Sequence, residues 1–156
     1  MGVSFLLGII TDMELEYNFD EIEKVARKIK SKIKAGDIVG FSGQLAAGKT
    51  TLISRIVENF GYKGRVSSPT FVIEHRYPTD GTKKVNEIIH IDLYRLAKDD
   101  LRPIDWQEYL ANNDKIIFIE WPERLEGEYL QINKQVKIEI INDKKRKITL
   151  RESTGN

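Results

Sequence analysis

Residues Gly43-Gln44-Leu45-Ala46-Ala47-Gly48-Lys49-Thr50 read G-x-x-x-x-G-K-T, and no other feature constrains the fold of this chain so tightly. The apolar run Ile38-Val39-Gly40-Phe41-Ser42 precedes the octet, and Thr51 to Val57 follow with apolar residues at helical spacing. The pattern predicts strand, loop and helix in immediate succession. Backbone N–H groups of such a loop converge on a diphosphate at the positive end of the following helix, so Gly43, Leu45, Ala46, Ala47, Gly48 and Thr51 become candidate nucleotide contacts. Lys49 has the reach for the outer phosphates, and the Thr50 hydroxyl has the position of a Mg²⁺ ligand. A glycine-containing turn before an ordinary helix is the plainer alternative, and both flanks count against it.

A chain of 156 residues predicts a single domain over 1–156. Lysine and arginine total 25 against 24 aspartate and glutamate, so no global field draws it to nucleic acid or to an anionic membrane. Cysteine is absent, which excludes disulfides and thiolate chemistry and fits a reducing compartment; the cytoplasm is the expected location. Val3 to Ile10 lacks the flanks of a targeting signal and reads as an N-terminal strand. Nothing approaches the roughly 20 apolar residues that span a bilayer, so no membrane association is expected.

Asp20 is placed to cap a helix with an apolar stripe of Ile22, Val25, Ala26, Ile29 and Ile33, stopped by Gly36. The helix after the loop is expected to run to about Phe60, with Gly61 ending it. Phe71 to Tyr77 and Val85 to Asp92 flank a turn at Pro78, Asp80 and Gly81, which predicts a hairpin beside a parallel core. Asp105 to Leu110 suggest a short helix with its exit at Asn112-Asn113-Asp114, and Ile116 to Glu120 a strand buried on both faces. Val136 to Ile141 and Lys147 to Leu150 predict a terminal hairpin. Lys144 to Lys147 then form a basic turn, read as a solvated loop or, functionally, as an RNA or protein contact.

Ligands of an open α/β sheet sit at the carboxyl ends of its strands, and two acids end buried strands here, Asp92 and Glu120. Mg²⁺ arriving with a nucleotide needs one or two protein oxygens besides phosphates and water, so Thr50 and one acid complete a shell while the other acid orients water. His90 shares a strand face with Asp92 and reads as a hydrogen-bonded structural group. Arg55 and Arg95 are candidates for neutralising phosphoryl charge.

Four blocks together resemble one family: Gly43 to Thr51, Ser68-Pro69-Thr70-Phe71, His90-Ile91-Asp92-Leu93-Tyr94-Arg95 and Ile119-Glu120-Trp121-Pro122. Their order and spacing are similar to the bacterial TsaE (YjeE) ATPases, needed for threonylcarbamoyl modification of the adenosine beside the tRNA anticodon. The resemblance spans about Asp20 to Pro122 and, more weakly, the closing hairpin. It implies an α/β, three-layer P-loop nucleotide-binding fold with a mixed, mainly parallel sheet and a C-terminal hairpin. It implies weak ATPase activity in partnership with TsaD and TsaB, with tRNA met indirectly through the complex. Carried over by motif, Lys49 and the loop amides hold the phosphates of ATP, Thr50 and Glu120 bind Mg²⁺, Asp92 supports hydrolysis and Thr70 senses the terminal phosphate. Trp121 is placed near the nucleotide or in the core, and Phe19 resembles the segment that lines the adenine. Ala46 departs from the family's usual glycine, at a position where phosphate loops often take a positive φ.

Alternatives remain from other classes. A small-molecule kinase shares the phosphate loop but needs an acceptor pocket under a lid, for which no insertion is evident. A nucleotide-gated binding module with incidental hydrolysis needs neither.

Overall fold

The computed structural model describes residues 9–69, 74–96, 106–111, 113–125 and 132–153. Among these residues seven strands, β1 (Ile9–Asn18), β2 (Ile38–Gly43), β3 (Glu74–Pro78), β4 (Glu87–Asp92), β5 (Lys115–Glu120), β6 (Lys134–Ile140) and β7 (Lys145–Ser153), form one sheet in the order β1-β7-β6-β2-β5-β4-β3. Its centre, β6-β2-β5-β4, is parallel, and antiparallel strands flank it on both sides. The α-helices are α1 (Ile22–Lys32), α2 (Lys49–Asn59) and α3 (Trp106–Leu110).

Of the parallel strands, β2, β4 and β5 are near-continuous buried runs because both faces are covered, whereas β6 alternates buried and exposed residues. Val39, Phe41, Ile88, Ile116 and Phe118 join the core under α1 and α2, where Phe41 and Phe118 meet edge to face at 5.2 Å. Ile38, Ile89, Ile91, Ile117 and Ile119 point the other way and pack with Tyr109 of α3. Alternation along each strand thus divides the apolar residues between two cores and gives three layers.

Both hairpins form, β3 with β4 and β6 with β7, the second longer than its apolar alternation marks because the pairs Lys134 with Glu152 and Gln135 with Arg151 extend the ladder. Residues 71–73 of the first hairpin lie outside the described residues. The helix end at Gly61 is as expected: its N–H donates to Glu58 O at 2.9 Å and its φ is 92°. The cap of α1 is corrected. The helical path begins in a 3-10 turn at Phe19–Glu21, and the Asn18 N–H donates to Glu21 Oε2 at 2.9 Å, so the capping pair is Asn18 with Glu21 and not Asp20. At the other end Ile33 is already extended, three residues before Gly36.

β1 extends well past the predicted strand at Val3 to Ile10, of which residues 3–8 lie outside the described residues. The alternation Met13, Leu15, Tyr17 between Glu14 and Glu16 carries the strand onward. In its register Tyr17 faces Arg146 of β7, and the Phe19 N–H donates to Lys144 O at 3.1 Å. The entry to α1 is thereby tied to the terminal hairpin. That hairpin also borders the phosphate loop: a Cβ at Gly43, whose φ is 152°, would stand 2.5 Å from Ile138 O.

Candidate nucleotide site

β2 delivers the chain to the sheet's carboxyl edge, and α2 starts at Lys49, so the loop between them wraps the head of that helix. The turn needs left-handed residues, and it has them: Ala46 at φ 64° and Gly48 at φ 106°. The positive φ foreseen at Ala46 is therefore present in an L-residue. A cleft of about 400 Å³ opens above the loop, and its walls include Phe19, Leu45 to Thr51, Ser68, Pro69, Asp92, Tyr94, Arg95, Glu120 and Trp121.

Lys49 Nζ donates to Gly43 O at 2.6 Å and Gln44 O at 3.0 Å and stands 4.0 Å from the centre of the Trp121 ring. Burial pulls its ammonium below the ordinary lysine range, with the carboxylates of Glu120, Glu123 and Asp92 pulling the other way. The Thr50 hydroxyl donates to Glu120 Oε1 at 2.7 Å. Glu120 is 3% exposed, and the same oxygen lies 2.8 Å from Nε2 of fully buried His90. His90 is thus a hydrogen-bonded group behind the acid, as its strand position suggested, and its Nδ1 has no partner among the described residues.

Asp92 pairs with Glu120 across β4 and β5 but takes different partners: Ser68 Oγ donates to it at 2.7 Å and the Tyr94 N–H at 2.9 Å. The two strand-end acids are therefore neighbours with separate attachments. Trp121 sits at φ 60°, and its ring stacks on Tyr94 at 5.0 Å, so it walls the cleft at the Lys49 end. Phe19 lies at the other side of the loop, where a Cβ on Gly48 would meet its ring at 3.4 Å. Arg95 lines the cleft, whereas Arg55 pairs with Glu58 on the exposed side of α2 and is no part of it. Thr70 lies outside the described residues.

This motif and this fold have counterparts in other proteins. The family model described as "Threonylcarbamoyl adenosine biosynthesis protein TsaE" matches residues 17–149. The chain belongs to the TsaE family. Relatives named as tRNA threonylcarbamoyladenosine biosynthesis protein TsaE include one from Bacillus subtilis, 32% identical over 89% of this chain and 84% of its own length. Another, from Aquifex aeolicus, is 31% identical over 84% of this chain and 89% of its own. The crystal structure of YdiB from Bacillus subtilis superposes with a TM-score of 0.69 at 28% identity, covering 92% of this chain and 88% of that one. No helix among the described residues is long and apolar enough to cross a membrane.

Within this TsaE fold one site residue escaped the motifs. The basic turn was expected to be a solvated loop or a macromolecular contact, yet Arg146 is buried and donates from Nε to Ala47 O of the phosphate loop at 3.1 Å. Period-two alternation exposes it in hindsight: Arg146 falls on the same strand face as buried Ile148 and Leu150.

Proposed function

We propose that the chain binds Mg²⁺·ATP in this cleft and hydrolyses it slowly, as an ATPase that supports threonylcarbamoyl modification of the tRNA adenosine next to the anticodon. It works as one domain, in the cytoplasm, with TsaD and TsaB, and meets tRNA only through that complex. The observation that carries the proposal is the Thr50–Glu120 contact of 2.7 Å at the head of α2, beneath a loop whose left-handed residues turn its backbone around the helix end. A hydroxyl and a carboxylate side by side are hard oxygen donors in the number Mg²⁺ takes from protein when phosphates and water complete its shell. The cation, when bound, supplies charge neutralisation along the outer phosphates.

The chain's own groups carry the rest. Lys49 exchanges its bonds to Gly43 O and Gln44 O for phosphate oxygens, gaining charge-assisted contacts. Asp92, fixed by Ser68 and the Tyr94 N–H, accepts a hydrogen bond from the attacking water and aligns it with the terminal phosphorus. The water oxygen bonds to phosphorus as the bond from phosphorus to the bridging oxygen breaks; that oxygen leaves on ADP, and the proton the water sheds passes by way of Asp92 to solvent, leaving free phosphate. Thr70, which follows Pro69 in the sequence, is the residue assigned to report the terminal phosphate. The test is ATP turnover by the chain alone, with TsaD and TsaB, and with candidate small-molecule acceptors. Slow turnover that changes when TsaD and TsaB are added supports the proposal; stoichiometric transfer to an acceptor would make the chain a kinase instead.

A further inference from the structure

The Glu120 carboxylate has two hydrogen-bond partners among the described residues, and both reach the same oxygen. The Thr50 hydroxyl donates to Oε1 at 2.7 Å, and Nε2 of His90 stands 2.8 Å from that atom. Thr50 is itself a candidate ligand of the cation, so it does not anchor the acid independently. His90 does. It is fully buried and forms no part of the cleft wall, which leaves it outside any metal shell built there. The second oxygen, Oε2, takes no hydrogen bond among the described residues, and Glu120 lines the cleft.

The sheet holds the imidazole where it can anchor the acid. Period-two alternation puts His90 on the same face of β4 as Ile88, toward the core under α1 and α2. β4 is paired on both sides, with His90 opposite His75 of β3 and Phe118 of β5, and the Tyr77 ring packs 6.4 Å from the imidazole. An ionised carboxylate only accepts hydrogen bonds, so the ring has to present an N–H to Oε1. Nδ1 is buried without a partner among the described residues; a proton there would be an unsatisfied donor, whereas a proton on Nε2 is hydrogen-bonded. Groups behind a metal ligand fix its orientation, and the metal site depends on them nearly as much as on the ligand itself. We propose that His90 is a positioning residue for the metal site: its Nε2–H holds Oε1 of Glu120, so that Oε2 is turned to the cleft and to the cation that accompanies a nucleotide. This rests on the Mg²⁺·ATP reading above.

The experiment has a metal-free arm and a binding arm. In the metal-free parent, ¹⁵N NMR of the imidazoles is expected to show a proton on Nε2 of His90; the chain has only two histidines, and His75→Gln assigns them. An unprotonated Nε2 would overturn the proposal. The binding arm is calorimetric titration of parent, His90→Leu and His90→Gln with ATP, in Mg²⁺ and in EDTA. His90→Leu removes the donor and is expected to cut the gain in affinity that Mg²⁺ provides by about 10–100-fold, the usual loss when the group behind a metal ligand is removed, while leaving binding in EDTA unchanged. His90→Gln places an amide N–H near the position of Nε2 and is expected to restore most of that gain. Equal losses in Mg²⁺ and in EDTA, or a His90→Gln no better than His90→Leu, would show a merely structural role and overturn the proposal. If His90→Leu fails to fold, the NMR arm decides alone. A parent whose ATP affinity is the same in Mg²⁺ and in EDTA would remove the metal reading and this proposal with it; a parent whose Mg²⁺-dependent gain survives in His90→Leu would overturn this proposal alone.

Discussion

Ala46 is an exposed L-residue at φ 64° in the phosphate loop, and Ala46→Gly isolates the cost of that geometry. The left-handed conformation costs an L-residue roughly 1–2 kcal/mol. Glycine escapes that cost but loses about 0.4–1 kcal/mol through the greater freedom it gives the unfolded chain. The difference predicts a net stabilisation of about 0 to 1.6 kcal/mol, or a rise in Tm of about 0–6 °C at this chain length. Ala111, exposed at the end of α3 and not left-handed, supplies the control. Ala111→Gly bears the entropic loss alone and is expected to melt about 1–4 °C below the parent. Ala46→Val is expected to fall as well, because a branched Cβ worsens the left-handed clash. Scanning calorimetry of the three variants without nucleotide reads the differences directly. An Ala46→Gly chain that loses as much as Ala111→Gly would refute the strain argument, since glycine would then have relieved nothing.

The remaining predictions concern the charged groups. Asp92→Asn is expected to leave Mg²⁺·ATP affinity nearly intact while slowing hydrolysis by about two to four orders of magnitude, the range for a positioned catalytic group; single-turnover kinetics with a parallel titration check it, and weak binding with normal turnover would reverse the roles of the acids. Glu120→Gln and Thr50→Ala are expected to weaken the Mg²⁺-dependent part of ATP binding while sparing binding measured in EDTA, and a metal titration identical to the parent's would contradict the shared shell. Lys49 gives a pH dependence. Burial holds its pKa below the ordinary lysine value, so between that lowered value and 10.5 the folded chain carries fewer protons than the unfolded one, and stability rises with pH across this window. ATP binding needs the charged form and weakens over the same window. Affinities measured from about pH 7.5 to 10 are expected to fall for the parent and stay flatter for Lys49→Arg, whose guanidinium keeps its proton; parallel curves would contradict the assignment.

What the sequence made legible is local. The loop, α2 and β5 declare themselves because spacing, capping and burial there depend on residues close in the chain. The strand-end acids were equally visible, but not which of them meets Thr50. Asp92 and Glu120 share a register position, and the choice follows from β5 lying next to β2 while β4 lies one strand further out. Strand order is a consequence of crossovers, and no residue pattern within a strand records it. The continuation of β1 and the role of Arg146 were hidden for a related reason. Both belong to antiparallel pairings between chain ends, where Tyr17 meets Arg146 only after the whole sheet has been laid down. A basic run looks solvated until its strand faces are known.

The central claim is that this chain's ATP site serves threonylcarbamoyl transfer to tRNA. Its most direct test is multiple-turnover modification of tRNA reconstituted with the cognate TsaD and TsaB, run with the parent chain, with Lys49→Ala and with no addition. The account predicts continued turnover with the parent, and far less product both with Lys49→Ala and with no addition, because a loop without its cation cannot hold the outer phosphates. Equal yields in all three reactions would contradict it.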